Sequence, residues 1–105
     1  MKKIYISGKI TGDPLYREKF IKEEYRLCSL GYVPVNPVEM IDFGTSWAAA
    51  MKLVVRAMLG CDGVSLLPDW KKSKGARIEA RLARQLGMDV RNSREWDMVD
   101  CNQGG

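Results

Sequence analysis

Histidine is absent from the 105-residue chain. That absence removes Ser-His-Asp and Cys-His catalysis, and with them most zinc sites. Any acid–base chemistry falls to carboxylates, tyrosines or lysines. Cysteine is scarce: Cys28, Cys61 and Cys101 are odd in number and widely spaced. No C-x-x-C pair occurs, so neither a metal site nor a redox motif is predicted. Reduced, partly buried thiols are expected. Long apolar runs are missing too; none approaches the ~20 residues that span a bilayer. The N-terminal "MKKIYISGKITG" holds two lysines but little of the ~7–15-residue apolar stretch of a signal peptide. No membrane partner is expected, and a cytoplasmic location is. Neither the Walker pattern G-x-x-x-x-G-K-[ST] nor G-x-G-x-x-G occurs.

What is present suits one domain with an ordinary core. Hydrophobic residues make up 46% of the chain, which is normal for a globular protein. The formal net charge is +4 and the pI about 9.1. That bias favours anionic partners without separating nucleotides, phosphates and nucleic acid.

"KIYIS", Lys3–Ser7, alternates and is rich in β-formers, so it predicts a first strand. A helix is predicted over Leu15–Leu30, with Phe20, Ile21, Leu27 and Leu30 available for a buried stripe, and Gly31 as its stop. "YVPV", Tyr32–Val35, predicts a second strand ended by Asn36-Pro37. Ser46 is a plausible cap for a helix from Trp47 to about Gly60. "GVSLL", Gly63–Leu67, reads as a buried parallel strand. Lys74–Leu86 predicts a third helix, with Ile78, Leu82 and Leu86 four apart and Gly87 as its stop. "MDV", Met88–Val90, predicts a last strand. Residues 1–91 are expected to form the domain, and 92–105 a loosely ordered C-terminal extension with at most a short helix.

The alternation βαβαβαβ implies an α/β fold: a small flavodoxin-like or Rossmann-like three-layer sandwich on about four parallel strands. The simplest doubly wound order is 2-1-3-4. Ligands of such sheets sit beyond the carboxyl ends of the strands, at the switch point. Here that point lies between strands one and three, so Ser7–Gly12 and Pro68–Glu79 are expected to face each other.

In the first loop, "YISGKITG", Gly8 and Gly12 let backbone approach a ligand closely. The composition fits a plain strand-to-helix turn as well as a phosphate or sugar contact. The second loop is more unusual. From Lys71 to Arg84 it carries six cations, Lys71, Lys72, Lys74, Arg77, Arg81 and Arg84, and one carboxylate, Glu79. Ser73 can cap the helix, Gly75 leaves its first turn uncluttered, and Glu79 comes one turn later on the same face. The helix N-terminus and the neighbouring cations both favour an ionised Glu79. An ionised carboxylate beside a phosphate-friendly loop is the starting state for a nucleophile at a sugar anomeric carbon. It is also what a glutamate paired with Arg77 or Arg81 would look like. Trp70 is a candidate for stacking on a base or for covering the helix end. Tyr5 sits where strand tyrosines usually pack. Asp62 is a candidate contact, or a cap for the turn before strand three.

Together "IYISGKITG", "GYVPVNP", "SWAAAMK" and "CDGVSLLPDWKKSKGARIEARLARQLG" resemble the small, often phage-encoded proteins of the DUF4406 family. That family is similar to nucleoside 2-deoxyribosyltransferases and deoxynucleoside 5'-monophosphate N-glycosidases. The resemblance spans roughly Lys3–Val90 and is most specific from Cys61 to Gly87. It implies that Glu79 is the nucleophile and that Tyr5 assists it. It also implies that Ser7, Gly8, Lys9 and Gly12 line the sugar and phosphate end, with Ser73 and Gly75 near the 5' group. Relatives form dimers or larger assemblies, so a homo-oligomer is implied. There are departures. Val54 stands where the related pattern M-[KR]-x-D has an acid, and Lys9 replaces the proline usual after "SG".

These residues support two readings. In the first, the chain is an N-glycosidase or deoxyribosyltransferase acting on 2'-deoxynucleosides or their 5'-monophosphates, without metal or organic cofactor. In the alternative, it binds nucleotides with little or no turnover, in a sequestering or regulatory role, because Val54 replaces the acid. A nucleic-acid interface along Lys71–Arg84 has neither an aromatic platform nor a recognised motif behind it.

Overall fold

The structure, a computed structural model, describes residues 1–99. Four strands, β1 (Lys3–Ser7), β2 (Val33–Val35), β3 (Gly63–Leu66) and β4 (Asp89–Asn92), form one parallel sheet in the order β2-β1-β3-β4. Helices α1 (Tyr16–Ser29), α2 (Trp47–Leu59) and α3 (Lys74–Gln85) connect them, and short 3₁₀ turns lie at Pro37–Met40, Trp70–Lys72 and Ser93–Glu95. The architecture is the expected α/β sandwich. No helix among the described residues is long and apolar enough to cross a membrane.

Alternation along β1 divides the core. Ile4 and Ile6 pack with Phe20 and Leu27 of α1. Tyr5 instead joins Val54 and Met58 of α2 and Ala80 and Ala83 of α3 on the other face. A period of two thus aims Tyr5 and Ser7 towards α3.

The helices differ from expectation in what they bury. In α1 the buried residues are Phe20, Glu23 and Leu27, while Ile21 is exposed. Glu23 tolerates burial because Arg26 donates to both its oxygens at 2.8 Å and the Ser65 hydroxyl donates to Oε2 at 2.7 Å. In α3 the large apolar residues four apart, Ile78, Leu82 and Leu86, do not form the buried face. Ile78 and Leu86 are exposed, and Gly75, Ala76, Glu79, Ala80 and Ala83 face inwards. Small residues let this helix lie close to the sheet, so its buried face is chosen by clearance rather than by hydrophobicity. In α2 the Ser46 hydroxyl accepts from the Ala49 N–H, the expected cap.

The C-terminal end of the described chain also departs from expectation. β4 starts one residue later and ends two residues later than predicted. The segment after Arg91, expected to be loose, is packed as far as Trp96, which is only 3% exposed. Trp96 meets Tyr32 edge-on and lies under the Arg91 guanidinium. The Tyr32 hydroxyl donates to the Asp97 carbonyl, and the Val99 N–H donates to the Leu30 carbonyl. A large aromatic surface with apolar neighbours explains the ordering. Cys28 is exposed rather than partly buried, Cys61 is half-buried as expected, and Cys101 lies outside the described residues.

Candidate active site

The carboxyl end of β1 opens onto a cavity of about 260 Å³, closed by Pro37 and Ile41 after β2 and by residues of α2 and the start of α3. Glu79 reaches it from the second turn of α3. The Ser73 hydroxyl starts that helix by accepting from the Ala76 N–H at 3.1 Å. Glu79 is 5% exposed. The Tyr5 hydroxyl donates to its Oε2 at 2.6 Å and the Ser7 hydroxyl to its Oε1 at 2.7 Å. Residues two apart on β1 therefore hold both carboxylate oxygens, as strand periodicity requires.

The electrostatics correct the expectation of a cation-stabilised glutamate. Arg77 and Arg81 are exposed, and no ion pair to Glu79 exists among the described residues. Burial dominates and pushes Glu79 up to about 6, against the opposing hydrogen bonds from Tyr5 and Ser7. Tyr5 is pushed well above its usual value, first by burial and then by the Glu79 charge and hydrogen bond.

Gly8, Ser73 and Gly75 line the cavity with Tyr5 and Glu79. Gly8 is required there: a Cβ would meet Leu67 side-chain carbons at 2.7 and 2.9 Å. Ile10, Phe20, Ile41, Met51 and Val54 make the remaining wall largely apolar. Trp47 stands at the edge and also lines an adjoining cavity of about 410 Å³ with Lys9, Lys72 and Lys74. The Lys74 ammonium lies 4.5 Å from the Trp47 ring centroid. Thr11, Ser73 and Gly75 are common to both cavities.

Four sequence-predicted residues stay outside. Ser7 is buried and lines neither cavity, reaching the site only through its hydrogen bond to Glu79 Oε1. Gly12 has φ +80° and turns the β1–α1 loop without lining either cavity. Trp70 packs against the α2–α3 side of the core and carries Arg84 and Lys71 over its ring, so it covers the helix end. Asp62 lies at the amino ends of the strands, where its Oδ2 accepts from the Lys3 N–H at 2.8 Å. Parallel strands place that end of β3 opposite the cavity, so Asp62 ties the start of β3 to the start of β1 instead of touching the site.

One contact has no counterpart in the sequence reading. The Lys19 ammonium donates to the Lys9 carbonyl at 2.6 Å, to Asp13 at 2.5 Å and to Asp69. Asp69 also accepts from the Lys9 N–H at 3.0 Å. The loops after β1 and β3 are thereby tied together beside the cavity. The Asp in "LLPDW" is the available signal, but its partner lies fifty residues away.

Residues 2–92 match the model of a family described as a domain of unknown function, DUF4406. The chain belongs to the DUF4406 family. Among solved structures, it is similar to a 2-desoxiribosyltransferase from Leishmania mexicana, with a TM-score of 0.67 and 18% identity. The match covers 88% of this chain and 63% of that one. At that identity the likeness is one of fold, and this DUF4406 chain spans under two thirds of the length of that protein. No curated protein matched.

Proposed function

We propose that this DUF4406 protein cleaves the N-glycosidic bond of 2'-deoxynucleosides or their 5'-monophosphates, with Glu79 as nucleophile. The observation that carries this reading is the buried carboxylate with one hydroxyl donor on each oxygen, opening into a nucleoside-sized cavity. A Glu79 oxygen attacks C1' as the bond to the base breaks, through an oxocarbenium-like state. The resulting glycosyl ester goes to water, giving the free sugar, or to a second base, giving transfer. Tyr5 and Ser7 hold the carboxylate in one orientation. The cavity at Lys9, Lys72 and Lys74 suits a 5'-phosphate, with Ser73 and Gly75 between it and the sugar. The test is chromatography of the protein incubated with deoxynucleosides and their monophosphates. Free base is expected from the wild type and not from Glu79→Ala.

A second reading, nucleotide binding with little turnover, is favoured by Val54. It is 4% exposed, lines the cavity and can neither hydrogen-bond nor transfer a proton. Calorimetry showing binding by a protein that releases no base would support it.

We also propose self-association through the exposed apolar residues of α2. Trp47, Leu53 and Leu59 are 45%, 46% and 50% exposed there, and Phe43 just before it is fully exposed. Ultracentrifugation over a wide concentration range should show a dimer or larger species that Leu53→Glu dissociates. A wild-type monomer throughout would refute this.

A further inference from the structure

The departing base is the partner in the proposed reaction that the cavity serves least. When the C1'–N bond breaks, its electron pair stays on the base nitrogen. A neutral purine or pyrimidine then needs a proton from a donor within ~2.6–3.2 Å. Glu79 is the single carboxylate lining the cavity among the described residues, and no lysine or arginine lines it. As the nucleophile, Glu79 is ionised at that step. Tyr5 already donates its proton to Glu79. The Thr45 hydroxyl donates to the Asp42 carbonyl, and an alcohol is in any case too weak an acid. Met51, Val54 and Ile41 supply apolar wall instead.

We infer that the site takes nucleotides whose base is a cationic N-glycoside, such as an N7-alkylated purine or a pyridinium, and releases that base as a neutral molecule. This rests on Glu79 being the nucleophile proposed above. The step balances without a proton. A Glu79 oxygen bonds to C1', the C1'–N bond breaks, and its electron pair cancels the formal positive charge on the ring nitrogen. One carboxylate charge and one base charge disappear together, leaving a neutral ester and a neutral base. Loss of both charges is favoured in an apolar, poorly solvated cavity, where each is costly to hold. Water then attacks C1' of the ester, the C1'–O bond breaks, its pair returns to Glu79, and the proton of the water passes to solvent. A neutral base leaving as an anion would keep a charge in the same apolar surroundings.

The comparison is 7-methyl-2'-deoxyguanosine 5'-monophosphate against 2'-deoxyguanosine 5'-monophosphate, which differ by one methyl group and one charge. Base release is monitored by chromatography with wild type, with Glu79→Gln and without protein. Each rate is divided by that of the same compound without protein, because the methylated one is intrinsically labile. The acceleration is expected to be at least ~100-fold larger for the methylated compound, the low end of what a missing general acid is worth. Glu79→Gln should abolish it. Equal acceleration of both, or a larger one for the unmethylated compound, would overturn the inference and leave the Glu79 nucleophile standing. Acceleration of neither, or acceleration that survives Glu79→Gln, would overturn both.

Discussion

The Tyr5 hydroxyl and Glu79 Oε2 are 2.6 Å apart, although 74 positions separate the residues in the chain. With Ser7 on the other oxygen, two neutral donors hold a buried acid that no cation pairs with among the described residues. Such a pair favours ionisation only as far as its hydrogen bonds outweigh burial.

Tyr5→Phe removes one of the two interactions that hold the Glu79 pKa down. Glu79 should then titrate above about 6. A hydrogen bond to a charged group is worth ~1.5–3 kcal/mol, about one to two pKa units, so the ionised fraction at pH 7, and base release with it, is expected to fall ~2- to 15-fold. The rising limb of the pH–rate profile should move to higher pH in the variant. An unchanged limb would show that Tyr5 only packs.

Glu79 also has a stability signature. Its folded pKa of about 6 lies above its ordinary 4.5, so between these values the native chain holds more protons than the unfolded one. Stability contributed by the neutral carboxyl is therefore complete below about 4.5 and lost as pH rises through about 6. The loss is about 2 kcal/mol. Glu79→Gln keeps the shape without the charge. It should unfold at higher urea than wild type at pH 7, and the difference should shrink towards pH 4. Equal midpoints at pH 7 would mean that the burial of Glu79 is not costly.

How much of the fold and site is legible in sequence depends on the range of each interaction. Tyr5 and Ser7 share a face through period-two alternation, and Ser73, Gly75 and Glu79 are related by a cap and a helical turn. The 2-1-3-4 order then brings the two groups together. The charge environment of Glu79 is misleading in sequence because nearby cations are visible there, whereas Arg77 and Arg81 pointing outwards is not. Ile78 and Leu86 look like core because they are large; the alanines are selected by the closeness of the sheet. Glu23 looks like surface, and only Arg26 and Ser65 make its burial tolerable. Lys19 carries no local sign that it joins two loops.

Lys9, Lys72 and Lys74 should decide between phosphorylated and free nucleosides. All three line one cavity, and none is in an ion pair among the described residues. Each exposed contact is worth ~0.2–1 kcal/mol, so replacing all three by Met is expected to weaken monophosphate binding ~10-fold. Nucleoside binding should change little, and added salt should narrow the gap between the two ligands. Equal losses for both would place the phosphate elsewhere.

Val54→Asp tests whether a missing proton donor limits the reaction. The side chain would enter the cavity wall that Val54 now forms, among Tyr5, Met58, Val64 and Leu66. Burial there raises a carboxyl pKa, so the new aspartic acid should hold its proton and be able to give it to a departing base. Release of unmodified guanine or thymine from monophosphates should rise by at least ~10-fold, about 1.4 kcal/mol off the barrier. Monophosphate affinity should change little, because the new group acts mainly as the base leaves. The same change buries a polar group at a site only 4% exposed, at ~1–3 kcal/mol, so the melting temperature should fall. Val54→Asn separates the two effects. It brings a polar side chain of similar size without a transferable acidic proton, and should lower the melting temperature without raising the rate. A gain that Val54→Asn matches would assign the effect to positioning. No gain from a folded Val54→Asp would mean that protonation of the base does not limit the reaction.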